Sequence, residues 1–211
     1  MTMRIPAFMT VWQDGRLWCT DGWFNGASVG KGIRRVPLEE ATSAGIIRET
    51  RAPAVIVDAE SIGTGRFGEK VVKNMRVRGA DIWFMTHIED ADDVFDAFNT
   101  NADMLLAPYH TIRSDADLDD IHSVSDSVIP VVFVKDSKGL VSRRKTGDVR
   151  DILDRLTDAG FYKTCVLDTD GSVTETMWTD IHDDNPSVIP FCRYEPSHRT
   201  GLNNQISPFD P

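Results

Sequence analysis

The stretch Val131-Val132-Phe133-Val134-Lys135-Asp136 decides the fold: an apolar, mostly β-branched run ends abruptly on charge. The same figure recurs in Val55-Ile56-Val57-Asp58, Ile82-Trp83-Phe84-Met85-Thr86-His87, Met104-Leu105-Leu106-Ala107-Pro108-Tyr109-His110 and Cys165-Val166-Leu167-Asp168. Short apolar runs of this composition read as strands buried on both faces. Between them lie stretches able to hold a helix. Strand alternating with helix predicts a parallel sheet covered by helices. In such sheets ligands meet the carboxyl ends of the strands, where these polar residues fall.

Working outward, residues 4–12 read as a first strand, Asp14-Gly15 as a turn and 16–20 as a returning strand. The glycine-rich segment 21–32 reads as a loop. A helix is predicted from Pro37 to about Thr50, with Glu39 and Glu40 near its positive end. Residues 61–68 read as a second glycine-rich loop. Further helices are expected over 69–78, 89–98, 114–121, 148–160 and 174–181. Further strands are expected over 81–87, 103–110, 128–135, 162–167 and 187–192. No eighth strand is read, because Pro196, Gly201, Pro208 and Pro211 break up the end of the chain. The expected fold is an α/β, (β/α)8 TIM-type barrel, incomplete or irregular after the seventh strand. It forms one domain over 1–211, with 196–211 as an irregular tail. An open doubly wound sheet is the alternative.

Composition narrows the class. The chain has 211 residues, of which 41% are apolar, enough for a substantial core. Net charge is −10, concentrated around 89–96 and 115–126, which argues against nucleic acid and against an anionic membrane surface. No run reaches the ~18 apolar residues that a membrane span needs. Met1 to Pro6 lack the basic and apolar regions of a signal peptide, so a cytoplasmic protein is expected. Cys19, Cys165 and Cys192 are odd in number and far apart, which suggests reduced, buried thiols.

Several local matches resemble the histidine-biosynthesis ribotide isomerases, which act on phosphoribosylformimino-aminoimidazole-carboxamide ribotide, and their cyclase relatives. Ile5-Pro6-Ala7 followed by Gln13-Asp14-Gly15-Arg16 resembles that family's first strand and hairpin. Val57-Asp58-Ala59 resembles the end of its second strand. Asp136-Ser137-Lys138-Gly139 resembles the stretch after strand five, and Asp168-Thr169-Asp170-Gly171 the one after strand six. The resemblance implies a (β/α)8 barrel and a small-molecule isomerase. The departures are specific. Met9 stands where the family has an acid. Met85-Thr86-His87, Ala107-Pro108-Tyr109-His110 and Phe191-Cys192-Arg193-Tyr194 replace glycine-bearing phosphate turns. Phosphate cradles need small residues so that backbone N–H groups can approach the oxygens. The family reaction itself is therefore not expected, and the chain reads as a diverged relative.

The candidate catalytic residues are the strand-end groups Asp58, His87, His110, Asp136 and Asp168, which are expected to line one cavity. Lys135, and Arg66 within Gly63-Thr64-Gly65-Arg66-Phe67-Gly68, are candidates for binding substrate. No metal site and no cofactor are called for, since no His-x-His or zinc spacing is present. The expected function is a small-molecule isomerase or lyase with acid–base carboxylates at the C-terminal rim. The alternatives are a non-catalytic binding or assembly subunit and, behind it, a metal-dependent hydrolase. The expected partner is a small-molecule ligand, without nucleic acid or membrane. An unclosed barrel would leave open strand edges. A homodimer covering the gap with Trp18, Trp23 and Phe24 is therefore also expected, the alternative being that residues 200–211 fold across it, although Pro208 limits strand pairing there.

Overall fold

The apolar runs become the staves of a closed parallel barrel. The computed structural model describes residues 3–48, 52–75, 77, 79–194, 196, 202 and 204–211. The barrel strands are β1 (Met3–Gln13), β2 (Ala54–Asp58), β3 (Ile82–Met85), β4 (Met104–Pro108), β5 (Val128–Lys135), β6 (Cys165–Asp168), β7 (Ile189–Phe191) and β8 (Asn204–Pro208). Each pairs in parallel with the next, and β8 returns to β1.

The closure corrects the expectation of an incomplete barrel. Ile206 of β8 registers with Ile5 on one side and Phe191 on the other. Pro208 registers with Ala7, and the chain stays in the ladder past it, since Phe209 N–H donates to Ala7 O at 2.8 Å. The missing proline N–H falls at the strand's end, where its loss is tolerated. In Asn204-Gln205-Ile206-Ser207-Pro208 the one large apolar residue points inward and is fully buried, so the run is too polar to read as a strand.

Side-chain alternation with a period of two divides the core. Val55, Val57, Val131, Phe133, Leu167 and Ile206 fill the barrel interior. Ile56, Phe84, Leu105, Val132, Val134 and Val166 point outward against the helices. Those helices are α1 (Leu38–Arg48), α2 (Ala59–Thr64), α3 (Glu69–Asn74), α4 (Ala91–Phe98), α5 (Asp115–Val124), α6 (Val149–Asp158) and α7 (Glu175–Asp184). Asp58, Asp90, Ser114, Asp148 and Thr174 cap α2, α4, α5, α6 and α7, each side chain accepting from a first-turn N–H. The ends of the helices expected over 37–50 and 69–78 include residues outside those described. No helix among the described residues is long and apolar enough to cross a membrane. The thiols of Cys19, Cys165 and Cys192 are buried and unbridged.

One further expectation is corrected, and one hairpin is new. The segment 61–68 is not all loop, because α2 runs through Thr64 and ends at Gly65, whose φ of +70° suits a residue without a Cβ. After β5 the chain turns tightly through Asp136 and Ser137, at φ +50° and +61°, and returns as a strand over Lys138–Ser142. A short strand over Lys145–Gly147 pairs with it in turn. Two successive left-handed residues match the twist of a two-residue hairpin.

The loop after the first hairpin lies inside the mouth of the barrel. Phe24 is 3% exposed and belongs to the interior cluster with Phe133 and Phe191. Trp23 Nε1 donates to Thr169 O at 2.9 Å. These aromatics, expected to cover a gap between copies, instead close the mouth from above, and β8 leaves no gap to cover.

Candidate functional site

With the axis closed by Phe24, the open space at the strands' carboxyl ends lies beside it, part of it a hollow of about 560 Å³ past the ends of β1 and β2 that Val11, Gly22 and Glu60 help to line. A groove of about 590 Å³ runs across the loops that follow β2, β3, β4 and β5. Its lining includes Gly65, His87, Glu89, His110, Arg113 and Arg143. A larger hollow of about 820 Å³ lies against Ile82 and Asn99 to Asn101, where β3 and β4 begin. In barrels of this type the chemistry sits at the opposite face.

His87 is set in place from below. Its backbone N–H donates to Ser61 Oγ at 3.1 Å, and Ser61 Oγ lies 2.9 Å from Thr86 Oγ1. Asp58 anchors this chain of bonds. Its Oδ1 accepts from Ser61 N–H at 3.2 Å, and its Oδ2 accepts from Thr86 Oγ1 at 3.4 Å. A Cβ on Gly68 would come within 1.6 Å of Asp58 Oδ2, so only glycine lets the segment after α2 pass this close. Burial pushes the Asp58 carboxyl up to about 6, against the hydrogen bonds from Ser61 and Thr86 that favour its charge.

The imidazole of His87 is oriented by a carboxylate. Its Nε2 lies 2.8 Å from Glu89 Oε1, and Arg113 Nε donates to Glu89 Oε2 at 2.7 Å. The hydrogen bond to His87, then that from Arg113, holds Glu89 below the usual carboxylate range. The opposite ring nitrogen of His87, Nδ1, is buried with no hydrogen-bond partner. Arg113 is held in turn by Asp90, with Nη1 to Oδ2 at 2.9 Å.

His110 sits in a 3-10 turn, Tyr109–Thr111, that follows β4. Thr111 Oγ1 donates to Ile88 O at 2.6 Å and ties this turn to the loop of His87. The His110 ring stands edge-on to Phe133, with centroids 4.6 Å apart, so it separates the barrel interior from the groove. It is 5% exposed, and neither ring nitrogen has a hydrogen-bond partner. Burial, with the nearby Arg143 and His87, brings its pKa down to about 4, so the ring is neutral at pH 7. Arg143 reaches back across the groove, its Nη2 donating to Ile62 O at 3.2 Å near the end of α2.

The other candidates read from the sequence do not share this groove, which corrects the expectation of one common cavity. Asp168 is buried and engaged on both oxygens. Oδ1 accepts from Gly171 and Ser172 N–H at 2.9 and 3.1 Å. Oδ2 accepts from Val173 N–H at 3.1 Å and from the Tyr194 hydroxyl. Asp136 lies in the exposed hairpin turn, its N–H donating to Asp170 Oδ2 at 2.9 Å. Lys135 Nζ donates to Asn25 Oδ1 at 3.2 Å and braces the loop that carries Phe24. Arg66 is exposed outside the groove. Met9 is fully buried in the barrel interior. Among the described residues, no three His, Cys, Asp or Glu side chains are grouped to hold a metal.

Sequence reasoning missed Glu89, Arg113 and Arg143. The spacing His87-Ile88-Glu89 was the available signal for the first. Arg113 and Arg143 carry no local pattern and reach the groove only through the fold. No protein-family model matches this sequence, and no curated protein is significantly similar to it.

Proposed function

We propose that the protein is a small-molecule isomerase or lyase, a diverged relative of the ribotide isomerase barrels, moving a proton on an anionic substrate in the rim groove. One observation carries this reading. Glu89 holds Nε2 of His87 while Nδ1, in a side chain that lines the groove, has no protein partner. A base oriented by a carboxylate through its far nitrogen is the usual arrangement for general acid–base work.

In this reading His87 Nδ1 accepts the substrate proton, and Glu89 stabilises the imidazolium that forms. Neutral His110 donates a hydrogen bond to oxygen that gains charge as the proton leaves. Arg143, Arg144 and Lys145 favour an anionic substrate. Asp58 is a positioning residue, acting on the His87 backbone through Ser61 and Thr86. Acid–base work thus passes from the strand-end carboxylates to imidazole.

The test is solvent exchange. A panel of small hydroxy and keto acids and sugar phosphates is incubated with the protein in D2O and followed by proton NMR. Deuterium is expected at one carbon of at least one compound, and His87→Asn is expected to slow the exchange by about 100-fold or more. Exchange that His87→Asn leaves unchanged would overturn the reading. A binding subunit without catalysis is the second reading, favoured by the occupied barrel mouth. Binding of a compound without exchange would select it.

A further inference from the structure

The hydrogen-bonding needs of the groove define its ligand more closely than its charge does. In the neutral imidazole that the reading above assigns to His87, the proton faces the Glu89 carboxylate, which accepts only, and Nδ1 is an acceptor. His110 is neutral at pH 7, so one of its nitrogens donates and the other accepts. Three buried ring nitrogens therefore ask for two donors and one acceptor. A bare anion satisfies only the acceptor side. An apolar ligand satisfies neither and leaves the imidazoles unpaired, which is costly in a buried site. A hydroxyl group both donates and accepts.

The charge at the other side of the groove is unusual for this chain. Net charge is −10, yet the turn between the strands over Lys138–Ser142 and Lys145–Gly147 carries Arg143, Arg144 and Lys145 into the lining. Glu89, the one carboxylate of the lining, is already engaged by His87 and Arg113.

We propose that the groove binds a small polyhydroxylated anion, its hydroxyls on His87 and His110 and its anionic group at the Arg143-Arg144-Lys145 turn. A sugar acid and a sugar phosphate share this chemistry. The inference rests on the groove being the functional site assigned above, but not on any catalysis there.

The experiment titrates the full chain at pH 7 with glycerate, gluconate, glycerol 3-phosphate and glucose 6-phosphate. Glucose and inorganic phosphate represent the two halves of the ligand. Binding is read by calorimetry and by the histidine ring nitrogens in nitrogen-15 NMR. At least one charged polyol is expected to bind at least about tenfold more tightly than either half and to shift the His110 nitrogens. Whether the carboxylates or the phosphates bind identifies the anionic group. Arg144→Ala with Lys145→Ala alters only exposed side chains and is expected to weaken binding about tenfold or more. His110→Phe keeps the ring volume against Phe133. It is expected to weaken the charged polyol about tenfold while leaving inorganic phosphate unchanged. The proposal is overturned if no charged polyol binds, if phosphate alone binds as tightly, or if both variants bind like the wild type. Binding without proton exchange would sink the catalytic reading and leave this one standing. Catalysed exchange on a substrate without hydroxyls would do the reverse.

Discussion

Phe24 meets Phe133 edge to face in the mouth of the barrel, with ring centroids 5.0 Å apart. Phe133 in turn meets His110 at 4.6 Å. One interior ring thus touches both the plug that closes the axis and the histidine that lines the groove.

Removing the plug tests that relationship. Phe24 is almost fully buried, so Phe24→Ala is expected to cost about 3–5 kcal/mol, combining lost transfer energy and a residual cavity. Urea denaturation followed by tryptophan fluorescence measures it. A loss under about 1 kcal/mol would mean that the mouth is not sealed by this side chain.

Two buried groups give stability opposite dependences on pH. The folded-state pKa of Asp58 is raised from 3.8 to about 6, so its contribution is present below about pH 4 and lost as pH rises through 6. That of His110 is lowered from 6.5 to about 4, so its contribution is present above 6.5 and lost as pH falls through 4. Each amounts to roughly 3 kcal/mol, and across the shared window they largely cancel. Asp58→Asn keeps a capping side chain for α2 and is expected to leave stability rising from pH 4 to 6.5. His110→Phe is expected to leave it falling from pH 4 to 6. Urea midpoints across this range check the signs, and parallel slopes in the two variants would refute the assignment.

Asp168 is predicted to serve the loop after β6 and not the chemistry. Both oxygens are committed to the N–H groups of Gly171, Ser172 and Val173 and to the Tyr194 hydroxyl. Asp168→Ala leaves the buried Val173 N–H and three more exposed donors without their acceptor and is expected to cost about 1–3 kcal/mol. Groove ligands should bind the variant normally at temperatures where it remains folded. Thermal melting and ligand titration separate the two effects.

The eighth strand carries the closure. Truncation before Asn204 would leave the β1 and β7 ladders unpaired and expose Ile5 and Phe191 at the gap. The truncated chain is expected to lose cooperative unfolding or to aggregate, as read by calorimetry and light scattering. Ile206→Ala is the milder form, with an expected cost of about 2–4 kcal/mol. A truncated chain that still unfolds cooperatively near the wild-type midpoint would show closure to be dispensable.

The first seven barrel strands and most helix starts were legible because their signals are local. Four of the runs end on Asp58, His87, His110 and Asp168, and the residue types alone place those groups at one end of a parallel sheet. Asp90, Ser114, Asp148 and Thr174 announce helices by accepting from the first turn, a bond made within a few residues of chain. The strand of Asn204–Pro208 was not legible, since one inward isoleucine among polar neighbours has no period to read. The hairpin after Lys135 was hidden because Asp136 and Ser137 reveal their left-handed turn only as backbone angles.

The sequence by itself determined the alternation of strand and helix and the polar character of the strand ends, because composition and spacing act over single elements. Only the tertiary structure decided which strand ends share a space. Asp168 was drawn into its own loop by the N–H groups of residues 171–173, and Asp136 into a hairpin turn whose N–H reaches Asp170 on the next loop. Glu89 meets His87 from two residues along the same loop, but Arg113 and Arg143 were brought to that groove by the curvature of the closed sheet. Barrel closure sets those distances, and no local pattern encodes them, because the partners lie on different loops whose approach depends on every strand in the ring.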